Sequence, residues 1–97
     1  MADDNKLALQ TLASTMQELD IRYMEADEAG KLAMQDELDE AVLAFSRTRL
    51  RLLRKRVLCN SSCMQQIHDI QQEIQRAAET QALIQGIIRL IGFLVKL

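Results

Sequence analysis

Residues 63–97 read CMQQIHDIQQEIQRAAETQALIQGIIRLIGFLVKL. In this stretch Cys63, Ile67, Ile70, Ile74, Ala77, Gln81, Ile84, Ile88, Ile91 and Val95 recur in steps of 4 and 3. That is the spacing of one face of an α-helix, with Gln81 its single polar member. From Leu83 onward a second stripe joins it, formed by Leu83, Ile87, Leu90, Leu94 and Leu97. The stretch holds no proline, and its two glycines, Gly86 and Gly92, most simply permit close approach of another helix. The spacing predicts one long helix over about 62–96, begun by Ser61 or Ser62 as N-cap. Gln81 reads either as a polar residue that fixes register or as a solvent-facing slip.

Upstream the pattern repeats. Leu9, Leu12, Met16, Leu19, Tyr23 and Ala26 also alternate in steps of 3 and 4. They predict a helix over about 4–29, capped at Asp3 or Asp4 and ended by Gly30 at the position where a left-handed backbone favours glycine. A further helix is predicted over about 31–58. On a wheel of about 100° per residue, Met34, Leu38, Ala41, Val42, Phe45, Leu52 and Leu53 gather on one face. Leu32, Leu43, Leu50 and Val57 widen that face beyond what one antiparallel neighbour requires.

The chain has 97 residues, no proline, no tryptophan, one tyrosine and two phenylalanines. Straight-chain helix formers dominate, and no runs of β-branched residues bounded by turn residues occur. Together these observations predict a single all-α domain over 1–97. It is expected to be an up-down-up bundle of three long, coiled-coil-like helices, completed by dimerisation or by a partner because the doubly apolar end of the third helix exceeds what the other two cover.

Charge is segregated along the chain. Residues 1–46 carry a net charge of −8 and residues 47–97 a net of +6, so the total of −2 conceals a dipolar chain. Six of the ten residues from 47 to 56 are basic: Arg47, Arg49, Arg51, Arg54, Lys55 and Arg56. On the wheel Arg47, Arg51 and Arg54 point away from the apolar arc, whereas Arg49 and Arg56 fall inside it. The block reads as a solvated face or as a partner surface. A fold-back of the third helix offers it only Asp69 and Glu73. An antiparallel pairing with the same helix of a second chain would lay 36–40 over 47–56, with a two-fold axis near Phe45. Nucleic acid is a poorer fit, because no aromatic platform or helix-turn-helix pattern accompanies the basic residues.

Little in the sequence supports catalysis. His68 is the only histidine and lies about 140° around the helix from Cys63, so the two do not share a metal-binding face. Asp36, Glu37, Asp39 and Glu40 lack the Glu-x-x-His companion of carboxylate-bridged bundles. No nucleophile–base pair and no glycine-rich phosphate loop is visible. Cys59 and Cys63 read as small buried hydrophobes of a cytoplasmic chain; they reach disulfide geometry only if the chain bends between them. No basic, apolar leader opens the sequence and no stretch of about 18 apolar residues occurs, so a cytoplasmic location is expected.

The expected function is non-enzymatic: a small interaction module that binds another protein or itself, with a homodimer favoured, in the manner of inhibitors, immunity proteins, antitoxins or chaperones. No small-molecule substrate, cofactor or metal is expected. The candidate partner-binding residues are the six bases above together with Ile84, Ile87, Ile88, Ile91, Leu94 and Val95. Two other readings remain open. One is a peripheral membrane protein using the amphipathic C-terminal helix with Arg89 and Lys96. The other, less favoured, is a nucleic-acid binder using the 47–56 block.

Overall fold

The computed structural model describes residues 4–97 and is entirely helical: α1 (Asn5–Glu25), α2 (Glu28–Leu53), α3 (Ser61–Arg76) and α4 (Thr80–Lys96). There are four helices rather than three. The predicted third helix is broken at residues 77–79, and its two halves fold back as an antiparallel hairpin. This removes the unsupported long helix that the spacing implied. The longest dimension of the molecule is 46 Å, somewhat more than the roughly 39 Å that the 26 residues of α2 span at about 1.5 Å each.

The break carries no glycine or proline. It is made from outside, by α1: the Arg22 guanidinium donates to the Ile74 carbonyl at 3.1 Å and to the Ala77 carbonyl. Two carbonyls at the end of α3 thereby gain charged donors in place of the amides a continuing helix would have supplied. The turn also switches stripes. Before it, Ile67, Ile70 and Ile74 face the core. After it, Leu83, Ile87, Leu90 and Leu94 do so. Gln81 is exposed and fixes no register.

The other boundaries moved for local reasons. The α1–α2 turn comes earlier than Gly30, because the Asp27 carboxylate accepts from the Gly30 N–H at 2.7 Å and caps α2. Gly30 therefore sits inside the first turn of α2. A Cβ there would lie 3.1 to 3.3 Å from Asp27, Ala26 and Thr80, which leaves little room for a side chain. Asp4 makes no side-chain cap, and Asp3 lies outside the described residues.

At its other end, α2 stops at Leu53 in a Schellman motif. The Arg56 N–H donates to the Arg51 carbonyl at 2.9 Å and the Lys55 N–H to the Leu52 carbonyl at 3.2 Å. Lys55 occupies the left-handed position, with φ 54°, where glycine is usual. Lys55→Gly is therefore expected to be more stable than Lys55→Ala by about 1 kcal/mol, as read from paired urea melts, since both lose the same side chain beyond Cβ.

The arrangement of the helices follows from four contacts. α1 packs on α2 and α3, and α4 packs on α2 and α3; α1 does not touch α4, nor α2 touch α3, among the described residues. The hairpins α1–α2 and α3–α4 are antiparallel. α2 and α4 run parallel, since Gly30 lies beside Thr80 at one end and the Thr48 hydroxyl donates to the Leu94 carbonyl at the other. The segment from 54 to 60 must therefore cross the diagonal of the bundle end.

Asn5 pins this crossing. Buried at the start of α1, it donates through Nδ2 to the Leu52 and Val57 carbonyls and accepts from the Cys59 N–H, at 2.8 to 2.9 Å. Cys59, in the extended stretch before the Asn60 cap, is disulfide-bonded to Cys63 in the first turn of α3. The expectation of two free thiols is thus corrected. Because the chain leaves the helix at Arg54, the two cysteines are not an i, i+4 pair on one helix.

Candidate interaction surface

The buried stripe of α2 is narrow: Gly30, Met34, Leu38, Ala41, Thr48 and Leu52. It is centred about 180° from Leu32, Leu43 and Leu50, which share one line on the opposite side. Those three leucines are 72%, 53% and 42% exposed. The apolar breadth read from the sequence is thus real, but it divides into a core stripe and an outward stripe. Val42 and Leu53, expected in the core, are also exposed, and Phe45 is half-buried.

All six residues of the basic block are exposed. This corrects the placing of Arg49 and Arg56 in the apolar arc. Arg49 stands clear of the narrow core stripe, and Arg56 lies past the Schellman turn, where helical projection no longer applies. Nor do Asp69 and Glu73 meet the block, as a fold-back of the third helix onto α2 would have had them do. α3 sits diagonally across from α2, and Glu73 pairs with Arg89 at 2.6 Å. That is the only ion pair formed wholly among the described residues, so Arg47, Arg49, Arg51, Arg54 and Arg56 meet no carboxylate there.

The C-terminal candidates separate into two groups. Ile84, Ile87 and Leu94 are buried; Ile84 and Ile87 form no surface for a partner, and Leu94 contributes only to the floor of the groove between α2 and α4. The reason is the chain reversal at 77–79, which turns the second stripe of α4 into the bundle core with Ile84 of the first stripe beside it, and leaves the rest of the first stripe at the α2 flank. On that flank Ile88 and Val95 are exposed and Ile91 is half-buried.

Where the two flanks meet, they form a groove of about 270 Å³ lined by Glu40, Leu43, Ala44, Arg47, Arg51, Ile91 and Val95, among others. Arg47, Arg51, Ile91, Leu94 and Val95 are the predicted residues that the fold brings together. Arg49, Arg54, Lys55 and Arg56 lie outside the groove, with Arg54 one turn beyond it. The groove also uses Leu43, Ala44, Glu40 and Thr48, which the sequence reading did not select. The surplus apolar width at Leu43 was the one available signal for them. Thr48 is buried at the α2–α4 contact and fixes the groove floor through its bond to Leu94.

The groove offers an apolar floor, two guanidinium groups on one rim and a carboxylate near the acidic half of α2. Among the described residues no cluster of His, Cys, Asp or Glu is placed to hold a metal ion. No helix is long and apolar enough to cross a membrane among the described residues. Fold and surface together define an all-α four-helix bundle with a mixed apolar and charged groove between two parallel helices. Compared with protein-family models, with curated proteins and with solved structures, the chain matches none.

Proposed function

We propose that this protein is a non-enzymatic protein-interaction module that binds through the α2–α4 face. The observation that carries this reading is the convergence of exposed Leu43 and Val95 and half-buried Ile91 with Arg47 and Arg51, which have no carboxylate among the described residues. An apolar floor rimmed by unpaired guanidinium groups suits a helix that presents apolar and acidic side chains together, as protein partners do. The membrane reading has less to draw on, because α4 commits Leu83, Ile84, Ile87, Leu90 and Leu94 to the core. The Cys59–Cys63 bond fits an oxidising compartment better than the reducing cytoplasm expected from the sequence.

The test is site-specific photo-crosslinking in living cells of the source, with a benzophenone side chain placed at Leu43 or Val95 and, as controls, at Gln65 or Gln75 on exposed α3. Protein adducts from the groove positions and none from α3 are expected. Adducts from neither set, or equally from both, would overturn the reading. So would tight binding of the purified protein to anionic phosphatidylglycerol vesicles, or to random duplex DNA, that is abolished by Val95→Glu or Arg51→Glu respectively.

A further inference from the structure

The outward line of α2 reads Leu32, Asp36, Asp39, Leu43, Arg47, Leu50 and Arg54, in steps of 4, 3, 4, 4, 3 and 4. Every member is exposed. At about 100° per residue all seven fall within about 80° of arc, on the side away from the bundle core. The line has a sign at each end, acidic at 36–40 with Glu40 beside it and basic at 47–54 with Arg51 beside it. The two cluster centres are about 18 Å apart at about 1.5 Å per residue.

Each cluster is unfavourable within its own helix. Asp36 and Glu40 are an i, i+4 pair of like charge, and so are Arg47 and Arg51. No opposite charge among the described residues relieves either pair. A helix laid alongside in the same direction would repeat the conflict, acid on acid and base on base. Laid antiparallel about a point near Phe45, a helix of the same sequence sets Asp36 against Arg54 and Asp39 against Arg51, twice over by symmetry. The same operation brings Leu43 of both copies beside the centre of the contact, each facing Arg47 of the other, and sets Leu50 opposite Glu40, about 7.5 Å from the centre at about 1.5 Å per residue. A partner of another sequence carrying a single sign of charge would satisfy one cluster and leave the other repelled.

We propose that a second copy of this chain docks antiparallel along this outward line of α2, which borders the α2–α4 groove at Leu43 and Arg47. In this isologous pair, Asp36, Asp39 and Glu40 of each protomer meet Arg47, Arg51 and Arg54 of its partner. The inference rests on the reading of the α2–α4 face as a protein-binding surface, and it names the partner.

The experiment is sedimentation equilibrium of three forms of the full chain. The wild type is expected at twice the 11.1 kDa chain mass, with a dissociation constant that rises about 10-fold or more between 50 and 500 mM salt. One variant carries Arg47→Glu, Arg51→Glu and Arg54→Glu; the other carries Asp36→Arg, Asp39→Arg and Glu40→Arg. All six positions are exposed, so both variants are expected to keep the helical circular-dichroism spectrum of the wild type and a cooperative melt. Each alone is expected to be monomeric, with self-association weakened about 100-fold or more. Mixed in equal amounts, they are expected to regain a dimer, because one α2 is now acidic throughout and the other basic throughout. Dimers of either variant alone, or a mixture that stays monomeric, would overturn the proposal. A monomeric wild type whose Leu43 and Val95 photo-adducts have masses other than twice the chain would overturn the self-pairing and leave the protein-binding face standing.

Discussion

Asn5→Asp is expected to destabilise the protein by about 3 kcal/mol, although the change places a carboxylate in the first turn of a helix. There it would ordinarily contribute about 0.3–1 kcal/mol of stability through the helix dipole. The opposite sign follows from what Asn5 does. Its amide nitrogen donates to the Leu52 and Val57 carbonyls, and a carboxylate has nothing to donate. Asp retains the acceptor for the Cys59 N–H but sets a charged oxygen against two buried carbonyl oxygens. The Leu52 carbonyl keeps the Lys55 N–H, so the loss falls on the Val57 carbonyl and on the repulsion between the charged and carbonyl oxygens. A buried polar group left without its partner costs about 1–3 kcal/mol. In a chain of this size the loss corresponds to roughly 12–24 °C in melting temperature. Thermal melts of Asn5→Asp and Asn5→Ala would check it, with Asp expected to be no better than Ala. An Asp variant as stable as the wild type would show that the crossing segment is held by something other than this amide.

Gly86→Val is expected to have an effect of similar size, about 3 kcal/mol, while Gly92→Ala is expected to be stabilising by about 0.5–1 kcal/mol. The sequence treats the two glycines alike. In the bundle a Cβ at Gly86 would lie 2.9 Å from Cγ1 of Ile74, whose side chain is fully buried and has nowhere to move. The α3–α4 hairpin is thus closed over this one missing methyl group. At Gly92 nothing lies within 4 Å, so an alanine gains helix propensity with no steric penalty. Denaturant titration of both variants checks the pair, and equal shifts in the two would contradict the packing described.

These residues also show how far the sequence could be read. The seam of α1 was legible because Leu12, Met16 and Leu19 face a single core along one uninterrupted helix. The seam of the third predicted helix was equally regular and misled, because its period runs straight through the turn at 77–79. What ends α3 is Arg22, more than fifty residues upstream in the chain and adjacent only once the fold exists. The end of α2 was hidden for a related reason: Lys55 takes a backbone conformation that a lysine does not advertise. At the candidate surface, the basic block and the apolar tail were both visible. Which of their residues face outward was not, since that depends on the chain reversal that moves Ile87 and Leu94 inward and leaves Val95 out.

The diagonal course of residues 54–60 has a consequence for which helices become neighbours. Each hairpin is local in sequence, and its apolar faces are satisfied whichever side of α1–α2 the second hairpin approaches from. The alternative arrangement, with α3 beside α2 and α4 beside α1, would bury many of the same side chains. Short connections that run along an edge would favour it. The crossing segment is what opposes it, held on the α1 side by one amide and stapled to the start of α3 by one disulfide. The choice between two topologies thus rests on a few atoms at one end of a 46 Å molecule.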